Sequence, residues 1–316
     1  MIDDGGYPPL ICIVGPTGTG KSAAAIALAR RFDGEVVSAD SRQVYRGMDV
    51  GTAKVGAVER AAVPHHLLDI REPDEPYSVH EFARDAETTI TAIRARGRLP
   101  IVAGGTGHYL AALTRGFLPA AVEPDPRLRA ELDQVLETQG VAALAQRLRA
   151  VDRVAAADID LDNPRRLVRA IEVKTATGRS IREIETTRPV PWRALVLGLS
   201  MDRDALAERL AARASGMFAG GLLDEIRRLV ARGYGRGSVL DRSIGYRDGL
   251  AHLFGELSRP EAITATTTAT RQYARRQITW LRNRESARWF EVGDNLVDEL
   301  ALAVAEFLAT TTSTRN

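Results

Sequence analysis

The stretch Leu10-Ile11-Cys12-Ile13-Val14-Gly15-Pro16-Thr17-Gly18-Thr19-Gly20-Lys21-Ser22 decides how the rest of the chain is read. A short apolar run of strand length enters a glycine-rich turn, and an alanine-rich segment then continues as a helix over 21–31. The turn is a complete match to G-x-x-x-x-G-K-[ST] in the strand, loop and helix setting that gives this pattern its meaning. Glycines let backbone N–H groups turn inward around anionic oxygens, the following helix directs its positive end at them, and Lys21 adds a compact charge. Residues Gly15, Pro16, Thr17, Gly18, Thr19, Gly20, Lys21 and Ser22 are therefore the expected phosphate-binding set, and the Ser22 hydroxyl can be offered to Mg²⁺. The pattern does not name the phosphate. A nucleoside triphosphate fits, and so does any other di- or triphosphate whose ester is to be broken.

Outward from this loop, short apolar runs at 35–39 and 99–103 alternate with helical stretches at 21–31 and 82–96. Strands separated by helices imply crossover connections and a parallel sheet covered on both faces. The expected fold is thus α/β, a P-loop NTPase-like core with a parallel sheet. From Pro119 the pattern changes to prolines and acids, then to helical periodicity through 128–151 and 163–176 without a strand-like run, and closes at Pro189 and Pro191. The run 195–199 reads as a further core strand, with only helices beyond it. The expected organisation is a first part of the core over 1–119, an inserted all-helical lobe over 120–194, and core completion with C-terminal helices over 195–316. The Thr-rich stretch 310–314 is expected to fray.

Composition removes several classes. Of 316 residues, 45% are apolar and 27% charged, which suits a folded soluble chain rather than a disordered or collagenous one. The longest unbroken apolar run, Ala23 to Ala29, is far short of the roughly 18 to 20 residues of a membrane span. With Asp3 and Asp4 at the start and no charged-then-apolar leader, a cytoplasmic protein is expected. Cys12 is the one cysteine, so no internal disulfide forms, and five scattered histidines, with His65-His66 adjacent, lack the spacing of a metal cage. Cys12 reads as a core residue, and His65, His66 and His108 as core or hydrogen-bonding groups rather than catalytic ones. A net charge of +2 from 43 basic and 41 acidic side chains means that attraction to nucleic acid must come from local clustering.

In a doubly wound sheet the strand ends open onto the ligand crevice. The run 35–39 ends in Asp40-Ser41-Arg42-Gln43, which places Asp40 to act as a base or to reach a metal; the alternative is a cap on a following helix. The run 99–103 ends in Gly104-Gly105-Thr106-Gly107, which brings Thr106 to the same edge.

Here a resemblance becomes specific. Gly-Pro-Thr-x-x-Gly-Lys-Ser at 15–22, Ser-Ala-Asp-Ser-Arg-Gln-Val-Tyr-Arg-Gly-Met-Asp-Val-Gly-Thr-Ala-Lys at 38–54, Pro-His-His-Leu-Leu-Asp at 64–69, Tyr-Ser-Val at 77–79 and Gly-Gly-Thr-Gly at 104–107 resemble the tRNA dimethylallyltransferases, also called tRNA isopentenyltransferases. The likeness continues in order through 163–172, Met217-Phe218 with Gly221-Leu222, Ile244-Gly245-Tyr246-Arg247 and 270–280. It implies transfer of a dimethylallyl group from dimethylallyl diphosphate to N6 of adenine 37, beside the anticodon, in tRNAs that read codons beginning with U. Diphosphate is released.

Residue by residue, the resemblance implies that Asp40 accepts the proton of the attacking amine, that Thr106 lines the reaction channel and that Arg213 grips the diphosphate. Asp40, Ser41, Arg42, Gln43, Thr106, Arg129, Arg165, Arg166, Arg169, Arg242 and Arg247 match segments that contact tRNA. The implied partners are the tRNA anticodon stem-loop and the prenyl diphosphate, with Mg²⁺ as cofactor, in a monomeric bacterial-type protein. Gly18-Thr19 replaces the usual Ala-Ser, and His108 stands where an apolar residue is common; neither change removes a phosphate ligand.

At 100° per residue, Arg271, Arg275 and Arg282 fall within about 40° of one another on one helical face, with Tyr273 and Trp280 nearly opposite. The arginines are expected to meet RNA and the aromatic face to pack inward. The motifs alone also suit a small-molecule or nucleotide kinase, for which Arg129 and Arg165 to Arg169 would imitate a basic lid, or a non-enzymatic RNA-binding NTPase.

Overall fold

The computed structural model describes residues 7–312. The acidic Asp3 and Asp4, and the end of the Thr-rich stretch beyond Thr312, lie outside the described residues. Thr310 to Thr312 are the last residues of the helix Leu296–Thr312.

The strands in chain order are β1 (Pro9–Val14), β2 (Gly34–Ala39), β3 (His65–His66), β4 (Leu99–Gly104), β5 (Phe117–Leu118), β6 (Thr186–Thr187), β7 (Arg193–Ser200) and β8 (Arg288–Glu291). Six form an all-parallel sheet in the order β3-β2-β4-β1-β7-β8, with the phosphate-loop strand inside it. Alternation along β1 sorts the two cores: Ile11 and Ile13 pack under the helices Lys21–Arg31 and Leu296–Thr312, while Leu10, Cys12 and Val14 pack under Val79–Ala95. Burial pushes the Cys12 thiol far up, so it stays an inert core group.

Two strands of this sheet escaped the sequence reading. β3 is two residues long, too short for any periodic signal, and β8 is an edge strand in a region read as wholly helical. Trp289 of β8 fits because Gly198 opposite it has no side chain: a Cβ there would stand 2.7 Å from the indole.

The chain divides into two compact units, one of residues up to 114 and from 190 onward, the other Arg115–Pro189. The boundaries expected at 120 and 194 each fall five residues late. Within the second unit β5 pairs antiparallel with β6, a contact of two-residue strands that interrupts the expected all-helical pattern, and the core strand β7 begins at Arg193 rather than 195. That unit has its own core of Leu132, Leu144, Leu148, Leu167 and Ile171. The periodic stretch 128–151 is two helices, Pro126–Gln139 and Val141–Val151, divided at Gly140, whose φ of 80° lies in the left-handed region.

Candidate active site

The loop 15–22 leaves β1 and turns into the helix Lys21–Arg31 through Gly20, which caps it with φ 88° and ψ 19°, a conformation that favours glycine. The loop is fastened internally: the Thr19 hydroxyl and the Lys21 ammonium both donate to the Pro16 carbonyl, at 2.9 and 2.8 Å. Beside it lies a cavity of about 280 Å³ lined by Thr17, Gly18, Gly20, Lys21, Ser22, Asp40, Gln43, Thr52, Ala53, Ala103, Gly104, Arg209 and Arg213. Thr17, Gly18, Gly20, Lys21 and Ser22 of the predicted loop thus converge on one space with Asp40, Gln43 and Arg213, although Arg213 follows Thr17 by 196 residues; Gly15, Pro16 and Thr19 do not line it.

Its electrostatics are strongly cationic. Burial pushes the Lys21 ammonium down to about 8, with Asp40 opposing the fall and Arg213 adding to it. Burial also disfavours the Arg213 guanidinium, Asp40 opposes, and Arg209 one turn away makes matters worse by like charge. Arg213 donates to the Thr17 hydroxyl at 3.4 Å, and neither Arg209 nor Arg213 has a carboxylate ion-pair partner among the described residues. An anion is the group such an arrangement lacks.

Asp40 ends β2, and its Oδ1 accepts the backbone N–H of Arg42 at 2.8 Å and of Gln43 at 3.4 Å. It therefore does cap a local segment, a turn rather than a helix, and its Oδ2 accepts no hydrogen bond among the described residues. Thr106 does not line the cavity. Its hydroxyl accepts the Ser41 N–H at 3.1 Å and so ties the β4 turn to the Asp40 turn. Burial and the Asp40 charge together push the Tyr273 phenol up to about 12, with Arg42 and the Thr106 hydroxyl opposing, which places this tyrosine beside both.

The remaining predicted residues divide. Arg271, Arg275 and Arg282 are exposed on the helix Arg259–Arg284, while Tyr273 and Trp280 are half-buried, and Arg242 and Arg247 are exposed. Arg165 and Arg166 are exposed in the helical unit, where Arg165 and Arg129 line a cavity of about 760 Å³ together with Asp133, Asp160 and Asp162. Arg129 and Arg169 are engaged inside that unit. Arg129 closes bidentately on Glu172 at 2.6 and 2.8 Å, and Arg169 bonds the same carboxylate and the carbonyls of Ala120 and Val122. Of the three histidines singled out above, His66 bonds the buried Glu35 at 2.6 Å, His65 bonds the Val63 carbonyl, and His108 meets Trp280 edge-on.

Three contributors went unread in the sequence. Arg209 is one of many arginines and gains meaning only by facing the cavity with Arg213, four residues on; the i, i+4 spacing was the available signal. Glu225, 3% exposed, accepts the N–H groups of Asp49, Val50 and Gly51 and the Tyr246 hydroxyl, which anchors the loop that carries Thr52 and Ala53 to the cavity wall. Gln277 reaches the phosphate loop from the far end of the chain.

The IPP transferase family model matches residues 43–284, and the isopentenyl transferase model matches residues 8–69. A tRNA dimethylallyltransferase of Thermomicrobium roseum is 48% identical over 284 residues, 90% of this chain and 86% of that protein. The chain belongs to the tRNA dimethylallyltransferase family. Among solved structures, the full-length tRNA isopentenylpyrophosphate transferase of Bacillus halodurans is 39% identical with a TM-score of 0.70, covering 97% of each chain. A eukaryotic dimethylallyltransferase acting on tRNA is 27% identical with a TM-score of 0.74, covering 96% of this chain and 80% of that one. As a tRNA dimethylallyltransferase family member, the chain keeps the α/β sheet with the phosphate loop at a strand end. No described helix is long and apolar enough to cross a membrane.

Proposed function

We propose that the protein transfers the dimethylallyl group of dimethylallyl diphosphate to N6 of adenine 37 in tRNAs that read codons beginning with U, and releases diphosphate. The observation that carries this reading is the meeting of Lys21, Arg209, Arg213 and Asp40 around one cavity. Adenine N6 is a weak nucleophile because its lone pair is delocalised, whereas an allylic diphosphate is a good electrophile. The barrier therefore concerns charge gathering on the leaving diphosphate. Loop N–H groups, Lys21, Arg209 and Arg213 would stabilise that charge where it develops. As the C–N bond forms the amine turns acidic, and the open Oδ2 of Asp40 would take its proton, an effect of about 10² to 10⁴-fold.

Mg²⁺ fits the site. Ser22 and Asp40 offer hard oxygen donors on the cavity wall, and Mg²⁺ commonly takes only one or two protein ligands beside substrate phosphates and waters. Held by the Ser22 hydroxyl, it would supply further neutralisation of the diphosphate. The acceptor base must leave its stack to reach Asp40, as bases do when enzymes act on them. We assign its handling to Asp40 to Gln43 and Thr106, and RNA backbone contact to Arg242, Arg247, Arg271, Arg275, Arg282, Arg165 and Arg166. Arg129 and Arg169 would hold the framework of the helical unit. That pairing also removes them from the free basic lid that a kinase would need. The protein is proposed to act as a cytoplasmic monomer.

Incubation with dimethylallyl diphosphate and unmodified tRNA, followed by mass analysis of the nucleosides, tests the reading. A five-carbon addition on adenosine is expected. Phosphorylation of a small acceptor from ATP, with no such addition, would overturn it.

A further inference from the structure

Gln277 is 7% exposed and lies within the 26-residue helix Arg259–Arg284. A buried primary amide must find partners for both ends. It finds them on two segments remote in sequence: Oε1 accepts the Thr17 N–H at 2.8 Å, and Nε2 donates to the Gly105 carbonyl at 3.0 Å. Thr17 belongs to the phosphate loop, and Gly105 directly precedes Thr106. Glycine at 105 leaves room for the amide, because a Cβ there would collide with the Gln277 Nε2.

Each segment is fastened without Gln277. The phosphate loop has its Thr19 and Lys21 bonds to Pro16, and the β4 turn has the Thr106 N–H on the Ala39 carbonyl at 3.3 Å and the Ser41 N–H on the Thr106 hydroxyl. Gln277 itself does not line the cavity. What its two bonds add is a fixed spacing between the phosphate loop and the β4 turn.

We propose that Gln277 is a positioning residue that holds the phosphate cradle and the Asp40–Thr106 edge in reacting register. The proposal rests on the transferase reading above. A donor seated in the first and an adenine held at the second are then at a fixed separation, and an error of about 1 Å there costs about 100-fold in rate. Loss of the amide leaves both subsites formed but loosely related, so turnover suffers while binding persists.

The test uses the full-length protein with unmodified tRNA and dimethylallyl diphosphate, and compares Gln277→Ala, the near-isosteric Gln277→Met, Gly105→Ala and the double variant Q277A/G105A. Gln277→Met guards against simple loss of the fold. Each single variant is expected to lower kcat about 10 to 100-fold, with KM for either substrate changed less than about threefold. In Gly105→Ala the methyl group displaces the amide; in the double variant it enters space already vacated, so the double is expected to be no worse than the poorer single. Unchanged kcat in folded variants, a loss confined to KM of the donor, or multiplying losses in the double would each overturn the proposal. Absence of transfer by the wild-type chain sinks the transferase reading and this proposal together; transfer by the wild type with unaltered variants sinks this proposal alone.

Discussion

In the α/β unit Arg209 and Arg213 face a cavity without an ion-pair partner among the described residues, whereas in the helical unit Arg129 and Arg169 close on Glu172, a carboxylate 1% exposed. Both pairs of arginines lie on helices, Arg209 and Arg213 four residues apart on one and Arg129 and Arg169 on two different ones, and spacing alone does not say which guanidinium finds a carboxylate. The difference is what each guanidinium meets. A paired charge has spent its electrostatic potential inside the fold; an unpaired one keeps it for a ligand and bears a desolvation cost until the ligand arrives. In the proposed reading, the open charges serve the ligand and the closed ones the framework.

The sharpest break of that contrast is at Asp40, whose second oxygen is the open group of opposite sign. Asp40→Ala is expected to lower single-turnover transfer about 10² to 10⁴-fold, with affinity for inorganic diphosphate preserved in calorimetry. Unchanged turnover removes Asp40 from the mechanism. Next comes Arg213→Gln, expected to lower kcat/KM for the donor about 100-fold, since it removes a charge-assisted contact to the leaving group. Arg129→Gln is expected to leave donor kcat/KM within about twofold, because its contacts are those of a framework residue; equal effects would erase the distinction between the two arginines.

A smaller effect is expected from pH. With Lys21 near 8, its ammonium is present below that value and lost above it, so diphosphate affinity in the free protein should weaken as pH rises from 7 to 9. A flat profile over that range would place the charge on the arginines alone. On the RNA side, replacing Arg271, Arg275 or Arg282 by Ala should each lower the salt dependence of tRNA binding by about one contact's worth. Salt-insensitive binding would refute an arginine interface.

The smallest effect concerns stability in the closed region. Burial works to raise the Glu172 carboxyl, but the hydrogen bonds and charge of Arg129, with the Asp125 N–H and Arg169, hold it below the usual glutamate range. A carboxyl depressed in the folded state contributes stability above its unfolded pKa and loses it as pH falls through the folded one. The helical unit should therefore weaken at acid pH, below the ordinary glutamate range, and Glu172→Gln should remove that dependence. At neutral pH its expected cost is about 2 kcal/mol, at the low side for a buried pair because Arg129 is partly solvated. Urea unfolding, or hydrogen exchange in the helices of residues 126–151, reads both.

Much of this was legible early because it is local. The run 10–14 with its glycine turn, the ends of the runs 35–39 and 99–103, and the helical stretches each carry their signal within a few residues, where apolar period and turn chemistry act. β3 and β8 were not legible, since two and four residues hold no period. The aromatic and arginine faces of 271–282 could be drawn from helical geometry, but their surroundings could not.

The sequence by itself determined that a strand delivers a phosphate loop to a helix, that Asp40 and Thr106 stand at neighbouring strand ends, and that a helical insert divides the core. Only the tertiary structure decided which arginines stay open, which close on Glu172, and that Gln277 spans from Thr17 to Gly105. The physical reason is range: backbone period and turn geometry are set by near neighbours, while the partner of a charge or an amide is chosen by whatever distant segment the fold brings to it.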